Sequence, residues 1–168
     1  AGPFAVLLVP VVGIAAWQLA AAAITGFIAK ENVVGTIATV YAITNFIDPD
    51  ELELIGSGNA VATAMGITKV AALAYLMFNL YTPPCFAALG AMNSEMQSGK
   101  WLFAGICLQL ATGFTVGFLV YQIGTLITTG ALGAGFVGGL IAVCIFAAVI
   151  VYLIQRANRA IDTEYQLD

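Results

Sequence analysis

Apolar residues run along this chain in long, nearly unbroken stretches, and the few polar positions between them mark where its helices end or bend. The first stretch extends from Phe4 to Ala29, interrupted only by Pro10. Its portion from Val11 to Ala29 is long enough to cross a bilayer, which takes about 20 residues. Lys30-Glu31-Asn32 ends it. Val33 to Ile47 is apolar but roughly half to two-thirds of a full span, which leaves both a crossing and a turn back open. Asp48-Pro49-Asp50-Glu51, Glu53 and Gly56-Ser57-Gly58 then form a sustained polar loop. Asn59 to Leu80 predicts the next helix, with Lys69 at mid-length.

Tyr81-Thr82-Pro83-Pro84-Cys85 must interrupt that helix, because proline has no amide hydrogen and its ring clashes with the preceding turn. Phe86 to Gln97 predicts a short helix that turns polar at Asn93, Ser94 and Glu95. A long helix follows from Lys100 to Ile127, then a small-residue turn over Thr128 to Gly135 and a last span over Phe136 to Ile154. The expected organisation is a transmembrane region over 1–127 with broken helices around 30–32 and 81–85, a final span within 128–154, and a cytoplasmic tail over 155–168.

Composition sharpens the class. Of 168 residues, 61% are hydrophobic and 8% charged, against about 25% charged in soluble domains. The chain is therefore expected to be all-α, a polytopic transmembrane helix bundle with interrupted or re-entrant helices. There is no histidine, which excludes imidazole metal sites and histidine-based triads or proton relays. No basic stripe is present, so nucleic-acid binding has no electrostatic footprint. No nucleophile–base pair or cofactor fingerprint supports an enzyme. The three cysteines include no C-x-x-C, and Cys107 and Cys144 are expected as small buried hydrophobes. Positive residues favour the cytoplasm, which puts Lys100, Arg156 and Arg159 inside. The 128–135 turn and the acidic loop then lie outside, with Phe86–Gln97 short, dipping or interfacial. No basic stretch precedes Phe4, and the chain is expected to be part of a longer protein. Gly113-x-x-x-Gly117 and Gly135-x-x-x-Gly139 have helix-packing spacing, although glycine is common in membrane helices generally.

The broken segments carry the candidate chemistry. Irregular backbone at membrane depth is tolerated where it is buried in protein or lines a polar cavity, and interrupted hydrophobic segments point to transporter binding sites. Cys85 would stand at a helix N-terminus, where free amides and the helix dipole favour a thiolate. Cys85, Leu89, Met92 and Met96 fall near one helical stripe with Glu95 adjacent, and such sulfur ligands suit soft or borderline metals. The same stripe also reads as plain packing with Cys85 as a cap. Lys30 and Glu31 fit either a bundle interior, where charges are costly and functional, or an interface with Lys30 snorkelling. Lys69 is expected to pair with Glu31 or Glu95, or to snorkel to an interface. Asp48, Asp50, Glu51 and Glu53 read as a solvated loop, or as a means of concentrating cations. Asn79 could lend a carbonyl to an ion or bond the freed backbone.

Two strings go further: Gly26-Phe27-Ile28-Ala29-Lys30-Glu31-Asn32-Val33-Val34-Gly35-Thr36, and Asn79-Leu80-Tyr81-Thr82-Pro83-Pro84-Cys85-Phe86-Ala87-Ala88-Leu89. With Glu95 and Gly99-Lys100-Trp101, the stretch from about Val11 to Gln122 resembles the C-terminal, second-gate membrane region of the ferrous iron transport protein B family. There a G-F-x-x-K-E-x-V-V-x-T segment precedes a T-P-C-x-A-x-x-A-A segment. The resemblance implies a multi-pass importer of Fe²⁺ in the bacterial inner membrane, with a cytoplasmic C-terminus, a GTP-binding domain and two gate repeats, each with a cysteine in the iron path. Carried over by position, that cysteine is Cys85 and the K-E pair is Lys30-Glu31. The chain departs in its second proline, and no G-x-x-x-x-G-K-[ST] phosphate loop occurs in it.

The expectation is half of a permeation path, with Fe²⁺ as transported ion and no structural cofactor. Cys85, Met92 and Glu95 would contact the metal, and Lys30, Glu31 and Asn79 would line the path. The partners would be the bilayer, the remaining membrane half with its GTP-binding domain, and further copies in a homo-oligomer. Two alternatives stand beside it. One is a gate-type permease for a nucleoside or other small organic solute, using Asn79, Tyr81 and Gln109. The other is a non-transporting scaffold assembled through its glycine stripes.

Overall fold

A computed structural model describes residues 2–30, 32–40 and 66–165. Among these the chain is all-helical: α1 (Gly2–Val12), α2 (Trp17–Gly26), α3 (Asn32–Val40), α4 (Lys69–Tyr81), α5 (Phe86–Met96), α6 (Gly99–Thr129) and α7 (Phe136–Tyr165). Three stretches are long and apolar enough to cross a membrane: Lys69–Met96, which joins α4 and α5 across their break, Gly99–Thr129, and Phe136–Arg156. The α1–α2 pair would add a fourth if counted as one broken span. The chain divides into two compact units after Phe136, the second beginning at Val137 within α7.

The first apolar stretch does not form the straight span that its hydropathy predicts. Pro10 stays inside α1, and the chain turns by 98° between α1 and α2 three residues later. Gly13 makes that turn, at φ +84, a conformation that glycine adopts without steric cost. A Cβ there would overlap the Tyr121 hydroxyl. Glycine is thus required at the bend both by its backbone conformation and by the close approach of Tyr121 from α6.

Small residues build the core of the first unit. Ala20, Ala71 and Ala74 lie among Leu8, Val11, Leu19, Tyr75 and Tyr121. In a bilayer, lipid is as apolar as leucine, so helices associate through close packing and internal hydrogen bonds. Tyr75 supplies one such bond, its buried hydroxyl donating to the Leu19 carbonyl at 2.7 Å. Along α6, a Cβ at Gly113 would sit 3.0 Å from the Phe78 carbonyl oxygen, and one at Gly117 2.8 Å from Val11 and 3.2 Å from the Ala74 carbonyl oxygen. The Gly113–Gly117 pair is therefore a packing face within the chain, which removes the basis for reading it as an assembly stripe between chains. Gly135 belongs to the turn before α7, with φ +76, and abuts Pro10. Large apolar side chains such as Trp101, Phe103 and Ile127 point outward, as a lipid-facing surface requires.

Three local expectations change. The helix expected from Asn59 starts at Lys69 among the described residues, because Thr68 caps it: its side chain accepts from the Ala71 amide at 3.1 Å. Lys69 is accordingly an exposed first-turn residue, not a mid-helix charge, and has no carboxylate partner among the described residues. Cys107 and Cys144 are exposed, not buried, on helices apolar enough to face lipid. The acidic loop lies outside the described residues.

Candidate functional site

The site is where two interruptions of the helical backbone meet. The first is the tip of a hairpin. α3 folds back on α2, with the Thr25 and Thr36 hydroxyls 2.8 Å apart, and Val33 packed on Gly26. Val33 onward therefore turns back, at least as far as Val40. Phe27 to Lys30 form the tip, with the Phe27 and Ile28 amides reaching back to the Ile24 and Thr25 carbonyls.

The second interruption is Thr82–Cys85, between α4 and α5. In an uninterrupted helix, the amide of each residue bonds the carbonyl four residues earlier. Residues 83 and 84 would serve the carbonyls of Asn79 and Leu80, and both are proline. The double proline therefore orphans two identified carbonyl oxygens. The last regular bond of α4 runs from the Thr82 amide to the Phe78 carbonyl, at 3.1 Å.

Lys30 replaces the missing donors. Its Nζ donates to the carbonyl oxygens of Asn79 at 2.8 Å, Leu80 at 3.3 Å and Thr82 at 3.2 Å. An ammonium has three N–H donors and no acceptor, so all three find partners. The Thr82 hydroxyl adds a further bond to the Asn79 carbonyl at 2.8 Å. A cation is favourable there on charge as well, since a helix C-terminus carries partial negative charge. The other side of the break is tied to the same tip: the Phe86 amide, first in α5, donates to the Phe27 carbonyl at 3.2 Å. The described residues of this tip thus serve three carbonyls at the end of α4 and an N-terminal amide of α5.

Cys85 is the N-cap of α5, half-buried, with extended backbone and no side-chain capping bond. It stands between Pro84 and the Phe86–Phe27 bond, at the crossing of the two breaks. Asn79 contributes its backbone, not its amide, to the clamp. Its Nδ2 donates to the Tyr75 carbonyl at 2.8 Å. Met92 is half-buried and lies against α6, where a Cβ at Gly105 would be 3.7 Å from its terminal methyl. Glu95 is exposed. At 1.5 Å rise per residue, Met92 and Glu95 lie about 10 and 15 Å along α5 from Cys85. They do not converge with it on one ion, and among the described residues no three cysteine or carboxylate side chains cluster. Glu31 lies outside the described residues.

Beside the clamp opens a cavity of about 360 Å³, whose lining includes Phe27, Lys30, Asn79, Leu80, Thr82 and Pro83. Most of its wall is apolar, and Cys85 does not line it. Gln109 adds a further polar group. It lies on α6 midway between Gly105, which meets Met92, and Gly113, which meets Thr82. That is the level of the break, and its Oε1 is buried without a hydrogen-bond partner.

Sequence reasoning singled out Lys30, Asn79 and Cys85 but not the bond that joins the first two. Half of the signal was present: two adjacent prolines name the carbonyls they orphan, but not the donor that meets them.

Known proteins resemble the chain over most of its length. The Gate family model, described as nucleoside recognition, matches residues 2–99. The chain is 30% identical over 125 residues to the Fe(2+) transporter FeoB of Staphylococcus aureus (strain COL), covering 74% of this chain and 17% of that protein. It is 26% identical over 189 residues to the Fe(2+) transporters FeoB of Escherichia coli O6:H1 (strain CFT073) and Salmonella typhi, covering 88% of this chain and 24% of each of those proteins. The chain thus spans less than a quarter of the length of these relatives. No solved structure matches it.

Proposed function

The chain belongs to the Gate family, and from its similarity to the Fe(2+) transporters FeoB we propose that it forms half of a membrane path for ferrous iron, as the second gate of a bacterial inner-membrane importer. In this role Cys85 exchanges water for sulfur on the passing ion. Met92 and Glu95, spaced along α5, are later contacts and not members of one cage. Conduction requires binding weak enough for release, and contacts spread along a helix meet that requirement. The remaining membrane half and a GTP-binding domain belong to the same transporter, and the C-terminus is cytoplasmic. The observation that carries the proposal is the position of Cys85, at the helix N-terminus where the hairpin tip meets the double-proline break.

Uptake of radioactive ferrous iron by cells expressing the full protein tests it. Cys85→Ser should lower the initial rate roughly tenfold, the scale on which disturbing a metal's ligand environment acts, at unchanged membrane abundance. Wild-type uptake by this variant removes the cysteine from the mechanism.

A permease for a nucleoside or similar solute is the second candidate, and the cavity favours it. About 360 Å³ of mostly apolar wall with Lys30, Asn79 and Thr82 has the size and character of a small-molecule pocket. In that case nucleosides, and not divalent metals, would compete for uptake, and Cys85→Ser would transport normally.

A further inference from the structure

Three backbone carbonyl oxygens converge on one nitrogen at the end of α4, at 2.8, 3.3 and 3.2 Å. These oxygens lie at the negative end of a helix, and two of them lack amide donors because residues 83 and 84 are proline. Carbonyl groups at interrupted helices are the means by which transporters hold small cations. Here the position is filled by an ammonium that belongs to the chain. Its tether is the non-helical tip, and Lys30 is exposed. The adjoining cavity of about 360 Å³ is lined by Lys30 together with Asn79, Leu80 and Thr82. The lysine stem therefore has room to withdraw without unfolding either helix.

We propose that the Asn79, Leu80 and Thr82 carbonyls form a cation seat, that Lys30 is its tethered occupant, and that a free cation of ammonium size takes the seat when Lys30 leaves. A tethered group acts at an effective concentration of order millimolar or above, so the seat is closed to free cations while the lysine remains. The proposal rests on the clamp alone and holds whichever solute crosses the membrane.

Thermal unfolding of the detergent-purified full protein, with no iron present, provides the test. Lys30→Ala should lower the melting temperature by about 4 °C. Ammonium chloride should restore it in a saturable way. Tetramethylammonium chloride at equal ionic strength should not, because that ion is larger and has no N–H donor. The wild-type protein should respond to neither salt. Equal responses to the two salts, no response to ammonium, or an equal ammonium response in the wild type would each overturn the proposal. If Lys30→Ala does not yield folded protein, Lys30→Met, which fills the space of the stem but carries no donor, takes its place in the same titration with the same outcomes. Because no transport is measured, failure of the seat and failure of the iron path remain distinguishable.

Discussion

Lys30 and the two prolines form one unit, although about fifty residues separate them in sequence. The prolines create the need and the lysine meets it, which makes their effects non-additive. Contacting groups in one network show coupling that distant sites do not. Replacing Lys30 with methionine should destabilise the protein by about 1–2 kcal/mol, the scale of a charge-assisted hydrogen bond at a partly exposed site. In a Pro83→Ala, Pro84→Ala background the restored amides can serve Asn79 and Leu80 directly, and the same Lys30→Met change should cost close to nothing. Equal losses in both backgrounds, measured by chemical or thermal unfolding, would show that Lys30 acts elsewhere. The sequence displayed both halves of this unit. It hid the pairing, because no pattern of hydropathy encodes which distant donor meets an orphaned carbonyl.

At the scale of elements, what could be read depended on the kind of signal. The double proline between α4 and α5 is covalent in origin and overrides any neighbour, so its break is visible in the string. The 98° bend at Gly13 is not, since Gly13-Ile14-Ala15-Ala16 is apolar and continuous with what flanks it. Tyr121, over a hundred residues away, closes the space beside Gly13. The start of α4 was obscured for a related reason. Residues 59–68 share the hydropathy of the helix, and the Thr68 cap is one of three scattered polar side chains among them, with Asn59 and Thr63. The glycines of α6 show how closely these elements are fitted. Gly117→Leu should destabilise the protein severely, by about 3 kcal/mol or more, since overpacking forces shifts of neighbouring backbone and Val11 and the Ala74 carbonyl already occupy the space. Gly105→Ala should be nearly neutral, because its Cβ would make ordinary contact with Met92. Fluorescence-detected size exclusion in detergent distinguishes the two. A shift from oligomer to intact monomer in Gly117→Leu would instead restore the glycine face as an interface between chains.

For the molecule as a whole, three candidate spans and a bent pair that would make a fourth describe a membrane protein. Among the described residues the hairpin tip, the α4 carbonyls and the N-cap of α5 meet at one place, while Cys107 and Cys144 are exposed. That contrast can be read directly by thiol chemistry on the full protein in native membranes. A small water-soluble, membrane-impermeant thiol reagent should modify Cys85, more slowly when ferrous iron is present under anaerobic conditions, and should leave Cys107 and Cys144 unmodified behind lipid. Modification confined to Cys107 or Cys144, with Cys85 inert and indifferent to iron, would contradict a path that runs past the crossing of the two breaks.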